Sequence, residues 1–194
     1  MARAGVTGGT KMEAALKKIA EKLTRAKGVK VGFLEGAEYS DGTPVASVAI
    51  ANEFGATINV EAHTQTIFRQ VNKAGTAFNK NGRFVKESQS NFASDHDVGA
   101  HTITIPPRPF FRTTVKEGAK HWGKDLGKAL IEKKYDAKAA LNLVGENIKG
   151  ELQKSIKDWQ SPPNAASTVA KKGFNDPLID DGTMLNAVDK EVED

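Results

Sequence analysis

The chain has 194 residues, 27% charged and 39% hydrophobic, with no cysteine and a formal net charge of +4. That length supports one domain with a real core, and the composition is that of a soluble globular chain. Zero cysteine excludes disulfides, thiolate nucleophiles and cysteine metal sites. No apolar run reaches membrane-spanning or signal-peptide length, so neither element is expected.

Charge is divided unevenly. Residues 1–30 hold eight Lys/Arg against two acids, and residues 174–194 hold seven acids against one Lys. Two solvated ends account for this; ends on opposite faces would instead draw copies together head to tail.

Residues 1–9 hold three glycines and read as a tail. Thr10 with Glu13 has the form of a capping box, and Met12, Leu16, Ile19, Leu23 and Ala26 give a helix with one apolar face, closed by Gly28. Val29 to Leu34 alternates as a strand does. A turn region from Gly36 leads to Thr43 as cap and Pro44 at the first helical position. Val45 to Phe54 is apolar nearly all round, which predicts a buried helix ended by Gly55. Thr57 to Val60 is a short extended piece.

Residues 61–100 read as an insertion within a single domain spanning 1–194. Ala62 to Ile67 and Ala100 to Ile105 match at five of six positions and bracket a polar stretch. The expectation is a β-rich arm that leaves the core and returns beside itself, with weak strands near Thr76–Phe78 and Gly82–Val85. Removing His63 to Ala100 would join Ala62 to His101 in what reads as one uninterrupted strand.

The segment Ile105-Pro106-Pro107-Arg108-Pro109-Phe110-Phe111-Arg112 cannot lie within a helix or central strand, because its prolines fix φ and remove donors. It delivers two phenylalanines to a helix expected over 109–134, where Gly118, Gly123 and Gly127 predict a bend or a close neighbour. Asp136 caps the next helix, with its stripe at Leu141, Val144, Ile148, Leu152, Ile156 and Trp159, stopped by Pro162-Pro163. A short helix near Asn164 to Gly173 and an alternating acidic end complete the chain. The architecture expected is α+β: a small, mainly antiparallel sheet packed by an N-terminal helix and two long central helices, with the inserted arm.

Candidate chemistry is sparse. His63, His96 and His101 would approach one another if the two repeated strands paired, giving an imidazole and carboxylate metal site, but no ligand spacing supports it and no metal or cofactor is expected. His121 reads as a solvated residue. Phosphate-loop and nucleophile-elbow patterns are absent, and Asp180-Asp181 beside Gly182 reads as a helix cap. Arg112, Lys116, Lys120, Lys124 and Lys128 recur every fourth residue, a basic row able to meet DNA phosphates or an acidic partner. A nucleic-acid-binding protein using that row is the alternative function.

The ordered set Val31-Gly32-Phe33-Leu34, Ala51-Asn52-Glu53-Phe54-Gly55, Ile105 to Arg112 and Pro177-Leu178-Ile179-Asp180-Asp181-Gly182-x-x-Leu185 resembles tailed-bacteriophage virion morphogenesis proteins. These are small neck and tail-completion (minor tail) proteins; the residue matching Asp181 is commonly Thr there. The resemblance implies a structural, non-catalytic virion protein at the head–tail interface. It implies a homo-oligomeric ring docked to portal, adaptor, tail-terminator or tail-tube proteins near the packaged double-stranded DNA, with assembly in the host cytoplasm. Phe54, Gly55, Pro106, Pro107, Pro109, Phe110 and Phe111 are expected to be framework.

Overall fold

A computed structural model describes residues 9–24 and 26–193, apart from the side chains of residues 9, 10, 80 and 81. The stretch 1–8, read as a tail, and the Thr10 side chain of the expected capping box lie outside the described residues. The described helices are α1 (Gly9–Leu23), α2 (Val45–Phe54), α3 (Phe110–Gly118), α4 (Trp122–Glu132), α5 (Ala137–Asp158), α6 (Ala166–Lys172) and α7 (Thr183–Asn186). The strands are β1 (Gly28–Phe33), β2 (Ala56–Val60), β3 (His63–Arg69), β4 (Phe92–Val98), β5 (His101–Ile105) and β6 (Val188–Glu193). The fold is α+β, and its antiparallel strands form separate two-stranded ladders: β1 with β6, β2 with β5 and β3 with β4.

The core is built on α5. Asp136 opens this helix, its carboxylate accepting the Ala139 N–H at 3.1 Å. Leu152 and Ile156 then pack with Val45, Ala49, Phe110, Leu178, Met184 and Val188 in one buried cluster. Nearer the start of α5, Ala140 and Val144 meet Ala129 of α4 in a second. Burying an aromatic side chain such as Phe110 contributes about 2–3 kcal/mol by area alone. On its other side α5 lies against the β1–β6 ladder so closely that a Cβ on Gly145 would fall 2.7 Å from Val29 Cγ2. Only glycine allows that approach without overpacking.

The helix expected over 109–134 is two helices, broken at Ala119, Lys120 and His121. Gly118 is the cause: its missing Cβ would sit 2.0 Å from the Trp122 indole, which occupies that space. Trp122 in turn donates Nε1–H to Glu151 of α5 at 2.9 Å. His121, expected to be solvated, is held at Nδ1 by Asp125 at 2.8 Å, and this hydrogen bond keeps the Asp125 carboxyl below its usual range. Gly123 and Gly127 face open space.

Two more helices depart from expectation. The face of α2 that is buried is only Val45, Ala49 and Glu53, one residue per turn, while Ile50 and Phe54 are exposed. The apolar stripe of α1 does not join the core: Met12, Leu16 and Leu23 are exposed, and Lys22 Nζ reaches the body at the Lys134 carbonyl, 3.4 Å away. The oppositely charged ends meet within one chain, because β6 pairs with β1 and Lys30 Nζ contacts Glu193 at 2.6 Å.

The arm leaves through β2 and β3 and returns through β4 and β5. Its repeated strands do not pair with each other; His63 lies opposite Val98, and His101 opposite Val60. The residues expected as weak strands form none: Thr76 and Ala77 lie in a bend, Phe78 makes a lone bridge to Val71, and 83–85 are irregular, between 3-10 turns over Asn79–Gly82 and Glu87–Gln89. Because Val60 and His101 are paired antiparallel, removing the arm leaves the two sides of a hairpin, correcting the expectation of a continuous strand. Replacing residues 61–100 by Asn-Gly, the preferred two-residue turn, should leave a cooperatively folding core with a melting midpoint within about 4 °C of the full chain, equivalent to ~1 kcal/mol. Thermal unfolding followed by circular dichroism checks this; loss of a cooperative transition would show that the core needs the arm.

Candidate functional site: the motif junction and the arm

The two stretches that stood out in the sequence meet in space. Asn52 and Glu53 end α2, and the proline segment passes beside them before opening α3. The Arg108 N–H donates to the Asn52 carbonyl at 2.6 Å, and its guanidinium donates to Asn52 Oδ1 at 2.6 Å and to the carbonyls of Pro162 and Pro163 at 3.1 and 3.3 Å. Arg108 is buried, and burial pulls its pKa below the usual arginine value. One side chain thus ties α2, the proline segment and the chain after α5.

Glu53 performs the second tie. Its buried carboxylate accepts the N–H groups of Phe111 and Arg112 at 2.9 and 3.1 Å, the first turn of α3. It is a helix cap supplied from 58 residues away. An anion at that end also complements the helix dipole. Arg112 Nε adds an ion pair to Glu53 at 2.7 Å, and its guanidinium lies 4.8 Å over the Phe54 ring.

Gly55 completes the junction. Its φ is +79°, and a Cβ there would meet the Ile105 carbonyl at 3.0 Å and Pro107 at 3.2 Å. Only glycine combines that backbone angle with that approach. Phe110 is fully buried and Phe111 half-buried, as framework residues should be. Phe54, expected as framework, is instead exposed, its ring lying under the Arg112 guanidinium. Pro106, Pro107 and Pro109 hold the chain extended between β5 and α3.

Arg112 is therefore a member of the junction as well as the first residue of the basic row. That row is also divided by the helix break: Lys116 lies on α3, Lys120 in the turn, and Lys124 and Lys128 on α4. Lys120 pairs with Glu117, and Lys128 approaches Asp125 at 3.4 Å. The histidines are likewise not brought together. His63 and His101 bond to nearby backbone carbonyls at 3.0 Å and His96 to Ser94 at 2.9 Å. No group of three metal-binding side chains forms among the described residues.

The arm carries its own small cluster. Arg69 lies 5.0 Å over the Phe78 ring and 5.3 Å over the Phe84 ring, and Phe78 meets Phe92 edge-on at 5.5 Å. All three rings remain substantially exposed. Thr64–Asp97 and Thr66–Asp95 cross-strand hydrogen bonds, at 2.9 and 2.7 Å, hold the ribbon's register. The arm is thus an ordered ribbon ending in an exposed aromatic cluster.

Sequence reasoning missed Glu53 and Arg108. The signal was present: a carboxylate among apolar residues of α2 is costly to bury unless paired, and an arginine set between prolines presents a charge on a rigid segment.

Glu53→Gln keeps the shape but removes the charge, and should cost about 1–3 kcal/mol of stability. Lys30→Gln, which breaks an exposed pair, should leave the unfolding midpoint where it is. Urea denaturation of both proteins measures the contrast, and equal midpoints would remove Glu53 from the account. Comparison with known family models, curated proteins and solved structures finds no match, so a reading of function rests on the chain's own motifs and geometry.

Proposed function

We propose that this protein is a structural component of a tailed-bacteriophage virion, a tail-completion or neck protein at the head–tail interface, working by assembly and not by catalysis. The observation that carries the reading is the junction. The Asn52-Glu53-Phe54-Gly55 and Ile105 to Arg112 stretches, through which the chain resembles that family, are partners in one set of hydrogen bonds. Their joint presence in the sequence thus has a single physical reason.

Two further features fit an assembling subunit. An arm with exposed Phe78, Phe84 and Phe92 leaves the core, and α1 carries an exposed apolar stripe. Exposed apolar groups gathered on projecting elements mark interaction surfaces. Copies arranged as a ring would use them against one another and against portal, adaptor, tail-terminator or tail-tube proteins, close to the packaged DNA. No helix among the described residues is long and apolar enough to cross a membrane.

The test is genetic. A phage carrying a stop codon in this gene, grown in a host that does not suppress it, should yield DNA-filled heads and separate tails by electron microscopy. Joined, infectious particles at normal titre would overturn the proposal.

A further inference from the structure

Two apolar surfaces have no partner among the described residues of the chain, and they differ in shape. One is convex. Met12, Leu16, Ile19 and Leu23 follow one line along α1, and Met12 and Leu16 are 68% and 58% exposed. A 15-residue helix is marginal in water unless its apolar face is packed. The other surface is concave: a groove of about 410 Å³ between β1 and α2, with Leu34, Ile50 and Phe54 at its walls and Phe110 and Phe111 within. Ile50 and Phe54 are 60% and 61% exposed there. Among the described residues β1 pairs on one side only, with β6, so the groove runs along a sheet edge.

The stretches of chain that carry the two surfaces differ in charge. Helical spacing places Lys11, Lys18 and Lys22 together on one flank of the α1 stripe. The chain from Leu34 to Phe54, which leads to and forms one wall of the groove, holds four acids and no Lys or Arg. Glu53 is engaged by Arg112, while Glu35, Glu38 and Asp41 are exposed. Asp41 accepts the Thr43 N–H at 2.9 Å, which keeps its carboxyl below the usual range and charged. The groove's own cations are neutralised, Lys30 by Glu193 and Arg112 by Glu53, at 2.6 and 2.7 Å.

We infer that α1 of one copy docks in the β1–α2 groove of a second copy, so that copies join head to tail. The spacing of its four apolar residues, i, i+4, i+7 and i+11, is the one by which an amphipathic helix reads a groove. Its lysines would meet the acidic approach of Glu35, Glu38 and Asp41. Each union leaves one α1 and one groove free, so addition continues until a ring closes or a filament grows. The inference gives the assembly reading a surface but does not depend on it. Association through other surfaces would defeat the docking and leave that reading standing.

The experiment mixes complementary variants of the full chain. Leu16→Asp spoils α1 and leaves the groove intact; Ile50→Asp spoils the groove and leaves α1 intact. Sedimentation velocity should show the unaltered protein growing beyond a monomer with concentration, and each variant alone remaining monomeric. An equimolar mixture should form a one-to-one complex that goes no further, because one intact helix meets one intact groove. Circular dichroism checks that each variant is folded. Leu16→Ala and Ile50→Ala serve where an aspartate is not tolerated, with association weakened at least tenfold in place of abolished. A wild-type monomer at every concentration, variants that associate unaided, or a mixture that stays monomeric would each overturn the inference. The first of these is also the outcome if α1 folds onto its own groove.

Discussion

The structure depends on a buried carboxylate doing what a helix cannot do for itself. The first N–H groups of α3 have no acceptor in their own helix, and the proline segment before them supplies no side-chain cap. Glu53, from the end of α2, accepts two of them. Leaving that carboxylate unpaired would be costly, so α2 and α3 are held to one relative placement, with Arg112 bound to Glu53 and Arg108 bound to Asn52. Phe110, at the start of α3, is thereby set into the cluster built on α5.

From this junction the chain can send elements outward without weakening its centre. The arm departs and returns at β2 and β5, whose far ends at Ala56 and Ile105 lie at the junction itself. Gly55 accommodates that crossing. The closing segment is tied in through the Pro162 and Pro163 carbonyls on Arg108. Further on, Lys172 donates to the carbonyls of Asp176 and Ile179, and its burial lowers its pKa. Asp181 accepts the Thr183 N–H at 2.8 Å at the start of α7, the same turn that Asp41 makes with Thr43.

Much of this was legible where local chemistry decides. The Asp136 cap, the α5 stripe, β1 and the ribbon nature of 61–100 follow from spacing and turn residues, whereas Asp180-Asp181, read as a helix cap, instead makes a turn in which Asp181 accepts the Thr183 N–H. What was not legible depended on distant partners. A bend or close neighbour was expected at Gly118, Gly123 or Gly127, but singling out Gly118 requires knowing that Trp122 folds back onto it. The half-exposure of α2 could not be read from a helix apolar all round, since periodicity is lost when every face looks alike. The stripe on α1 was correctly read as amphipathic but assigned to the core, which it does not join, because pattern states that a face must be covered and not by what. The pairing of His63 and His101 failed since strands of matching sequence need not be neighbours, and the arm's legs pair in antiparallel order from the base outward.

Glu53 and Asn52 of α2 hold the start of α3 and the segment before it through hydrogen bonds shielded from solvent. Native-state hydrogen exchange, residue by residue, tests this directly. The amides of Arg108, Phe111 and Arg112 should exchange only by global unfolding, in the slowest class with the core of α5. Amides of α1 and of the arm's turns should exchange far faster. Rapid local exchange at Phe111 and Arg112, at rates like those of the arm, would contradict the account.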